Sequence, residues 1–240
     1  VRRYRAYADA PLAPGAEFEL SEDEAHHLSA VRRVRSGDAV IVVNGGGLEA
    51  EGILRTQGKR CSVAIERITR ELLAPPPRLR CACALTKSSA FEDILQRAVE
   101  LGMTHYQPLM ADRSVVELDE RRAEKKREKW TRHGIEALKQ CERLWLPEIG
   151  EPTKVADFLR SSPGGRVLLL EERSPEAPPL AQLVPTLANE DVTLLIGPEG
   201  GWSDAERALA RTSGCQPTSL GEVILRAETA WLASLALLGR

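Results

Sequence analysis

No stretch of this chain approaches the roughly 18 consecutive apolar residues of a membrane-spanning helix, which excludes an integral helical membrane protein. Behind the opening Val1-Arg2-Arg3-Tyr4-Arg5 no apolar stretch follows, so no secretory signal is expected. The five cysteines include no Cys-x-x-Cys pair, which argues against a disulfide framework and a zinc ribbon. No metal is expected, and a reducing cytoplasm is the expected compartment. Excess charge is lacking too, since 33 Lys and Arg against 35 Asp and Glu leave a net charge of −2. Bulk electrostatics therefore do not announce a nucleic-acid binder. The charge drifts from balanced over 1–74, through slightly basic over 75–150, to acidic over 151–240. Two local knots stand out, Arg2, Arg3 and Arg5, then Arg32, Arg33 and Arg35. Such clusters can hold phosphate, although surface arginines also serve simply to keep a protein in solution. There is no internal repeat and no long low-complexity tract.

What is present describes a folded chain of 240 residues with room for two modest domains. Ala74-Pro75-Pro76-Pro77 is the boundary candidate, because three prolines without amide donors continue neither a helix nor a central strand. The division places one domain at 1–73 and the other at 74–240. The first reads as mostly β, with strands at 39–43, 48–54 and 60–68 and the turn Asn44-Gly45-Gly46-Gly47. Ala25, Leu28, Val31 and Val34 recur every third residue and predict a short helix over 22–34 started by Ser21. A small β-barrel with one helix fits this pattern. Beyond the prolines strands alternate with helices: strands at 79–85, 105–110, 167–170, 192–196 and 218–220, helices through 101 and at 120–139, 203–212 and 226–238. Ser88 or Ser89 is the expected cap of the first of these helices, and Phe91, Ile94, Leu95, Ala98 and Leu101 mark its apolar face. This rhythm predicts an α/β domain with a mostly parallel sheet covered on both faces.

Two stretches carry chemistry. Ile196-Gly197-Pro198-Glu199-Gly200-Gly201-Trp202 follows an apolar strand and precedes a capped helix. Its three glycines let backbone groups approach a ligand, at the strand end where open α/β sheets bind one. The pattern is neither Gly-x-Gly-x-x-Gly nor Gly-x-x-x-x-Gly-Lys, so a ligand without phosphates is easier to accommodate. A tight turn with no ligand is the plain alternative. The second stretch is Ser219-Leu220-Gly221-Glu222-Val223-Ile224-Leu225-Arg226-Ala227-Glu228-Thr229-Ala230. Glu228 near a helix N-terminus is electrostatically favourable in itself, and Arg226 could merely pair with it. One cation and one carboxylate beside a glycine loop could equally orient and deprotonate a substrate.

In combination these stretches strongly resemble the RsmE-type 16S ribosomal RNA methyltransferases of the SPOUT superfamily. The resemblance lies in Gly197–Gly201, Leu220-Gly221, Ile224-Leu225-Arg226 and Glu228-Thr229-Ala230. It extends upstream through Glu100-Leu101-Gly102, Pro108, Arg113-Ser114, Gln140, Arg143 and Pro147, and to His27-Leu28, Val31, Arg32, Val34 and Gly37-Asp38. Arg97 stands where the family pattern has lysine and Cys141 where it has serine. The resemblance implies a PUA-like RNA-binding β-barrel followed by a trefoil-knotted SPOUT α/β domain. It also implies a homodimer using S-adenosyl-L-methionine to methylate N3 of a uridine in the decoding region of 16S rRNA, within the small ribosomal subunit.

On that reading Leu169, Leu170, Glu171, Ile196, Gly197, Pro198, Glu199, Gly200, Gly201, Leu220, Gly221, Val223, Ile224 and Leu225 are the cofactor-binding candidates. Uracil N3 becomes nucleophilic only when its proton leaves, so a base or an anion-stabilising group is needed. The four histidines, His26, His27, His105 and His133, lie away from these loops in the sequence. Glu199 and Glu228 are the candidate bases and Arg226 the candidate for stabilising charge on the uracil carbonyls. Arg2, Arg3, Arg5, Arg32 and Arg33 are expected phosphate contacts, with Lys87, Arg113, Gln140 and Arg143 near the target nucleotide. The charged run 121–132 is read as a solvated helix face. Three rivals stay open here: a sibling enzyme acting on another rRNA or tRNA base, a ribosome-assembly factor without catalysis, and a dinucleotide-dependent oxidoreductase.

Overall fold

Alternation of β-branched and small residues with polar ones builds the first part of the molecule. The computed structural model describes residues 4–58, 60–86, 91–114, 119–172, 174 and 177–239. They form two compact units, residues 1–75 with 135–146, and residues 76–134 with 147–240. In the first unit, β1 (Tyr4–Tyr7), β2 (Glu17–Glu19), β3 (Ala39–Val43), β4 (Leu48–Gln57) and β5 (Arg60–Glu71) form one sheet in the order β1-β3-β4-β5-β2. Only β1 and β3 run parallel, and the other pairings are antiparallel. The inward residues Val40, Val42, Ala50, Leu54, Val63 and Ile65 make the core. In the turn from β3 to β4, Asn44 Oδ1 accepts the Gly46 and Leu48 amides at 2.9 and 3.1 Å. Gly47 is required there, because a Cβ would collide with the Leu72 carbonyl.

Helix α1 (Glu22–His26) starts at Ser21 as expected, the hydroxyl accepting the Glu24 amide at 3.3 Å. It does not run on to 34 as one helix. A wider π-helical turn, His27–Val31, takes over, with the Arg32 amide bonded to the His27 carbonyl at 3.0 Å. Such a bulge is a local rearrangement of backbone bonding that apolar spacing does not encode.

The segment 135–146 belongs to this first unit, where Leu138 and Leu144 pack with Val43. The Lys139 ammonium is 6% exposed and donates to Glu24 at 2.6 Å and to Glu136 at 2.8 Å. The other Glu24 oxygen accepts the Tyr7 amide at 3.0 Å. A second buried carboxylate, Glu49, is met by Arg5 at 2.6 Å, Thr69 at 2.9 Å and Arg70 at 3.4 Å. Burial alone would raise the Glu49 pKa, but hydrogen bonds from Arg5 and Thr69 and the charges of Arg5 and Arg70 hold it below the ordinary value. The proline boundary carries no hint that residues so far along the chain return to this unit.

The second unit follows the strand–helix rhythm. Its elements are β6 (Leu79–Ala84), α2 (Phe91–Glu100), β7 (His105–Met110), α3 (Glu120–Cys141, whose end lies in the first unit), β8 (Glu148–Ile149), β9 (Thr153–Lys154), α4 (Val155–Arg160), β10 (Arg166–Leu170), α5 (Leu180–Leu183), β11 (Val192–Ile196), α6 (Asp204–Thr212), β12 (Gln216–Thr218) and α7 (Ala227–Leu238). The sheet order is β12-β10-β11-β6-β7-β8, with β9 also on β7, and every pairing is parallel. A parallel sheet must be covered on both faces, and β11 is accordingly buried at all five positions. Because the strands are parallel, the loops after β10, β11 and β12 all leave from the same end of the sheet. That shared end positions the site.

Several details differ from the sequence expectation. The last strand is 216–218 rather than 218–220, because Ser219 leaves the ladder to bond with Pro178 and Leu180 at 3.1 and 2.8 Å. The short elements β1, β2, β8, β9, α4 and α5 were not anticipated, being too brief to show a period. The cap expected at Ser88 or Ser89 lies outside the described residues, as do the side chains of Val31 and Phe91. The charged run of α3 is solvated through 129, and Trp130 is buried edge-on to Tyr106 at 5.3 Å, which stacks on Trp231 at 5.5 Å. All five cysteines are free thiols, and no metal-binding cluster occurs among the described residues. Among those residues no helix is long and apolar enough to cross a membrane.

Candidate active site

Strand β11 ends at Ile196, and the glycine loop begins on top of a tryptophan. Trp202 folds beneath the loop, buried, with its Nε1–H donating to the Leu170 carbonyl at 3.3 Å. A Cβ at position 197 would stand 3.2 Å from the indole ring, so Gly197 is where backbone lies directly on the ring. The Gly201 amide closes the turn onto the Pro198 carbonyl at 2.8 Å, with Gly201 at φ +66°, a conformation that favours glycine. Ser203 then caps α6 in a reciprocal box. Its hydroxyl accepts the Glu206 amide at 3.2 Å, and the Glu206 carboxylate accepts the Ser203 amide at 2.8 Å.

The second loop runs from β12 to α7 through Gly221 at φ +117° and holds Arg226 in extended backbone at the head of α7. With the end of β10 and the glycine loop it encloses a cavity of about 270 Å³. Of the cofactor candidates, Leu170, Glu171, Ile196, Gly197, Pro198, Glu199, Gly201, Leu220, Gly221, Val223, Ile224 and Leu225 line it, together with Arg226. Two candidates do not. Leu169 turns into the core with 1% exposure, because strand alternation sends it to the face opposite its neighbour Leu170. Gly200 lies outside the lining, packed against Arg113, whose Nη1 donates to the Gly200 carbonyl at 2.9 Å. Sequence reasoning missed Glu172, Trp202, Arg207, Ala227 and Ala230. Ala227 and Ala230 were within reach, since their spacing puts both on one face of the first turn of α7.

The charged groups fall into two kinds. The Glu171 carboxylate is buried and committed, with Arg211 Nη2 at 3.0 and 3.3 Å and Arg207 Nε at 3.6 Å. Glu199, Arg226 and Glu228 make no side-chain hydrogen bond or ion pair among the described residues, so the pairing of Arg226 with Glu228 is not formed. Glu228 faces a smaller crevice beside the cavity, and Ile196, Gly197 and Ala227 line both. Thr86 lines that crevice too, and its buried hydroxyl has no partner among the described residues. Apolar walls, exposed backbone polar groups and uncommitted charges of both signs suit a flat, polar-edged ligand with a charged tail.

The RNA methyltransferase domain model matches residues 74–239, and the RNA methyltransferase PUA domain model matches residues 20–66. A ribosomal RNA small subunit methyltransferase E from Synechocystis is 35% identical over 98% of this chain and 77% of its own length. The Bacillus subtilis protein of that name is 32% identical over 91% of this chain and 88% of its own. The chain belongs to the ribosomal RNA small subunit methyltransferase E family. Among solved structures, the methyltransferase E of Neisseria gonorrhoeae, bound to S-adenosyl methionine, superposes with a TM-score of 0.84 at 26% identity over 98% of this chain and 96% of its own. A Legionella pneumophila protein solved with S-adenosylmethionine as cofactor superposes at 0.87 with 31% identity, over 99% and 97%. The fold is accordingly SPOUT-type α/β with a PUA-like N-terminal part.

The residues expected at the RNA of a methyltransferase E are placed unevenly. Arg2, Arg3 and Lys87 lie outside the described residues. Arg5 is largely buried and its guanidinium is taken by Glu49, which leaves it unsuited to a phosphate. Arg32 is exposed and donates from Nε to the His27 ring at 3.2 Å, and Arg33 is exposed. Gln140 is exposed and Arg143 half-buried, both in the first unit. Arg113 alone of this set is brought onto the glycine loop among the described residues.

Proposed function

We propose that this chain transfers a methyl group from S-adenosylmethionine to N3 of a uridine in the decoding region of 16S rRNA, presented within the small ribosomal subunit. The observation that carries this reading is the cavity at the shared strand ends, with Arg226 and Glu199 uncommitted on its wall and Glu228 uncommitted beside it. The residues present fit the cofactor. Leu170, Ile196, Leu220 and Leu225 offer apolar walls to an adenine ring, and Gly197, whose Cβ would press on Trp202, leaves backbone groups free for the ring edge. Glu172 would supply negative charge toward a cationic sulfur and amine, and Arg207 would supply positive charge toward a carboxylate. When bound, S-adenosylmethionine provides a methyl group activated by its positively charged sulfur.

The chain's own residues do the rest. A carboxylate, Glu199 or Glu228, accepts the N3 proton as the nitrogen lone pair is committed to the methyl carbon. Arg226 faces the negative charge that develops on the uracil carbonyl oxygens. Holding the two reactants in line supplies a large part of the acceleration. Arg32, Arg33, Arg113, Gln140 and Arg143 contact the RNA, with Arg2, Arg3 and Lys87 as further cationic candidates. A PUA-like RNA-binding domain at 1–73, with 135–146 packed into its unit, and a methyltransferase domain over the rest of 74–240 divide the work. Val223 is 76% exposed and its neighbour Ile224 is also exposed, apolar side chains that a second copy of the chain would cover in a homodimer. The enzyme works in the cytoplasm, where its ribosomal substrate is. The test is mass spectrometry of 16S rRNA nucleosides from cells with and without the gene. N3-methyluridine is expected to vanish on deletion and to return when purified protein and S-adenosylmethionine are added. Persistence of the modification would overturn the assignment.

A further inference from the structure

Glu206 is a glutamate with more bonds than its cap requires. It is 7% exposed, and each carboxylate oxygen accepts a different backbone amide. One is Ser203, at 2.8 Å, which completes the cap of α6. The other is Asp112, at 2.9 Å, on the loop that follows β7 and 94 residues away in sequence. A capping box is satisfied equally by Glu or Gln. Only an ionised carboxylate presents acceptors on both atoms, since an amide would turn a donor toward one of the two N–H groups. The second bond is therefore the feature that distinguishes Glu from Gln here. The same loop is tied again where the Ser203 hydroxyl donates to Asp112 Oδ2 at 2.6 Å. The next residue is Arg113, whose Nη1 reaches the Gly200 carbonyl at 2.9 Å. Gly200 packs against the Arg113 side chain there, where an added Cβ would fall 3.3 Å from the Arg113 Cβ.

We infer that Glu206 is a positioning residue, holding the loop around Asp112 against the glycine loop so that Arg113 is fixed on the Gly200 carbonyl for the RNA substrate. The inference rests on the function proposed above. It assigns Glu206 no contact with either reactant, and its effect on methyl transfer passes through Arg113.

The test is a double-mutant cycle of Glu206→Gln and Arg113→Ala in the full chain. Its readouts are kcat/KM for small-subunit RNA, the Kd for S-adenosylmethionine, and amide hydrogen exchange at 112–114. Each single variant is expected to lower kcat/KM for RNA about tenfold or more, mainly through KM, with cofactor Kd changed less than about threefold. The double variant is expected to fall no more than about twofold below the worse single, because both remove one interaction. Exchange at 112–114 is expected to quicken in Glu206→Gln and not in Arg113→Ala. Losses that multiply in the double variant, or unchanged exchange in Glu206→Gln, would overturn the inference. Should Glu206→Gln fail to fold, Asp112→Ala removes only the hydroxyl tie and leaves the cap of α6 in place. A smaller change of the same sign is expected, and no change in exchange or KM would overturn the inference equally. Absence of methyl transfer by the wild-type protein would count against the proposed function, while exchange reads the placement of the loop directly.

Discussion

In the first unit Glu49 is met by Arg5, Thr69 and Arg70, and Glu24 by Lys139 and the Tyr7 amide, whereas in the second Glu199, Arg226 and Glu228 meet no side-chain partner among the described residues. The same residue types serve opposite ends. A buried charge is tolerable only when its bonds are made within the protein, so the paired groups hold elements together. A charge left without a side-chain partner at a cavity edge ties no elements together and is available to a ligand. Glu171 shows that the distinction follows bonding rather than address. It lines the cavity and is nonetheless tied to Arg211 and Arg207, which places it with the structural carboxylates.

Breaking the paired side should give the largest effect on stability. Lys139→Ala leaves the Glu24 carboxylate buried without its cation and is expected to cost about 3–5 kcal/mol in denaturant unfolding. The affinity for S-adenosylmethionine should be unchanged under native conditions. A stability loss below about 1 kcal/mol would mean that the pair is not what holds 135–146 in place.

On the unpaired side, Glu199→Gln and Glu228→Gln separate the two candidate bases. The one that takes the N3 proton should lose about a hundredfold in turnover or more. Stability should stay within about 0.5 kcal/mol for both. If both variants retain full turnover, alignment alone accounts for the reaction and the unpaired carboxylates lose their assigned use. Gly197→Ala sharpens the contrast from the cofactor side. Its methyl group would press on Trp202, and S-adenosylmethionine binding measured by calorimetry should weaken about tenfold, some 1.4 kcal/mol. Wild-type affinity would show that the loop gives way without cost to the site.

The smallest effect expected is a dependence on pH. The folded pKa of Glu49 lies below its unfolded value, so its stabilisation is complete above roughly pH 4.3 and is lost as pH falls through the folded value. Unfolding curves of wild type and Glu49→Gln should therefore be separated at neutral pH and converge in acid. A separation independent of pH would contradict the linkage.

Much of this arrangement was legible before any coordinates. Strands 39–43, 105–110 and 192–196 matched residue for residue, because each is an apolar or alternating run bounded by turn residues. The glycine loop and the Leu220-to-Arg226 stretch were recognisable from motif and position, and the parallel sheet brings them to one end. What was hidden had physical reasons. Arg5 read as an exposed cation because pairing with Glu49, 44 residues away, leaves no local trace. Leu169 was grouped with Leu170 although strand alternation sends the two to opposite faces. Trp202 looked like the end of a motif and proved to be the floor beneath it. Glu206 was not singled out at all, because its second bond depends on a loop 94 residues upstream.

The contrast between bonded and unbonded charge is tested most directly at Arg226. Wild type and Arg226→Ala would be incubated with S-adenosylmethionine and small ribosomal subunits lacking the modification. N3-methyluridine would be followed by mass spectrometry, and unfolding midpoints measured on the same preparations. The account predicts at least a tenfold loss of turnover, about 1.4 kcal/mol, with an unchanged midpoint. Full turnover in Arg226→Ala, or a loss that tracks a fall in stability, would contradict it.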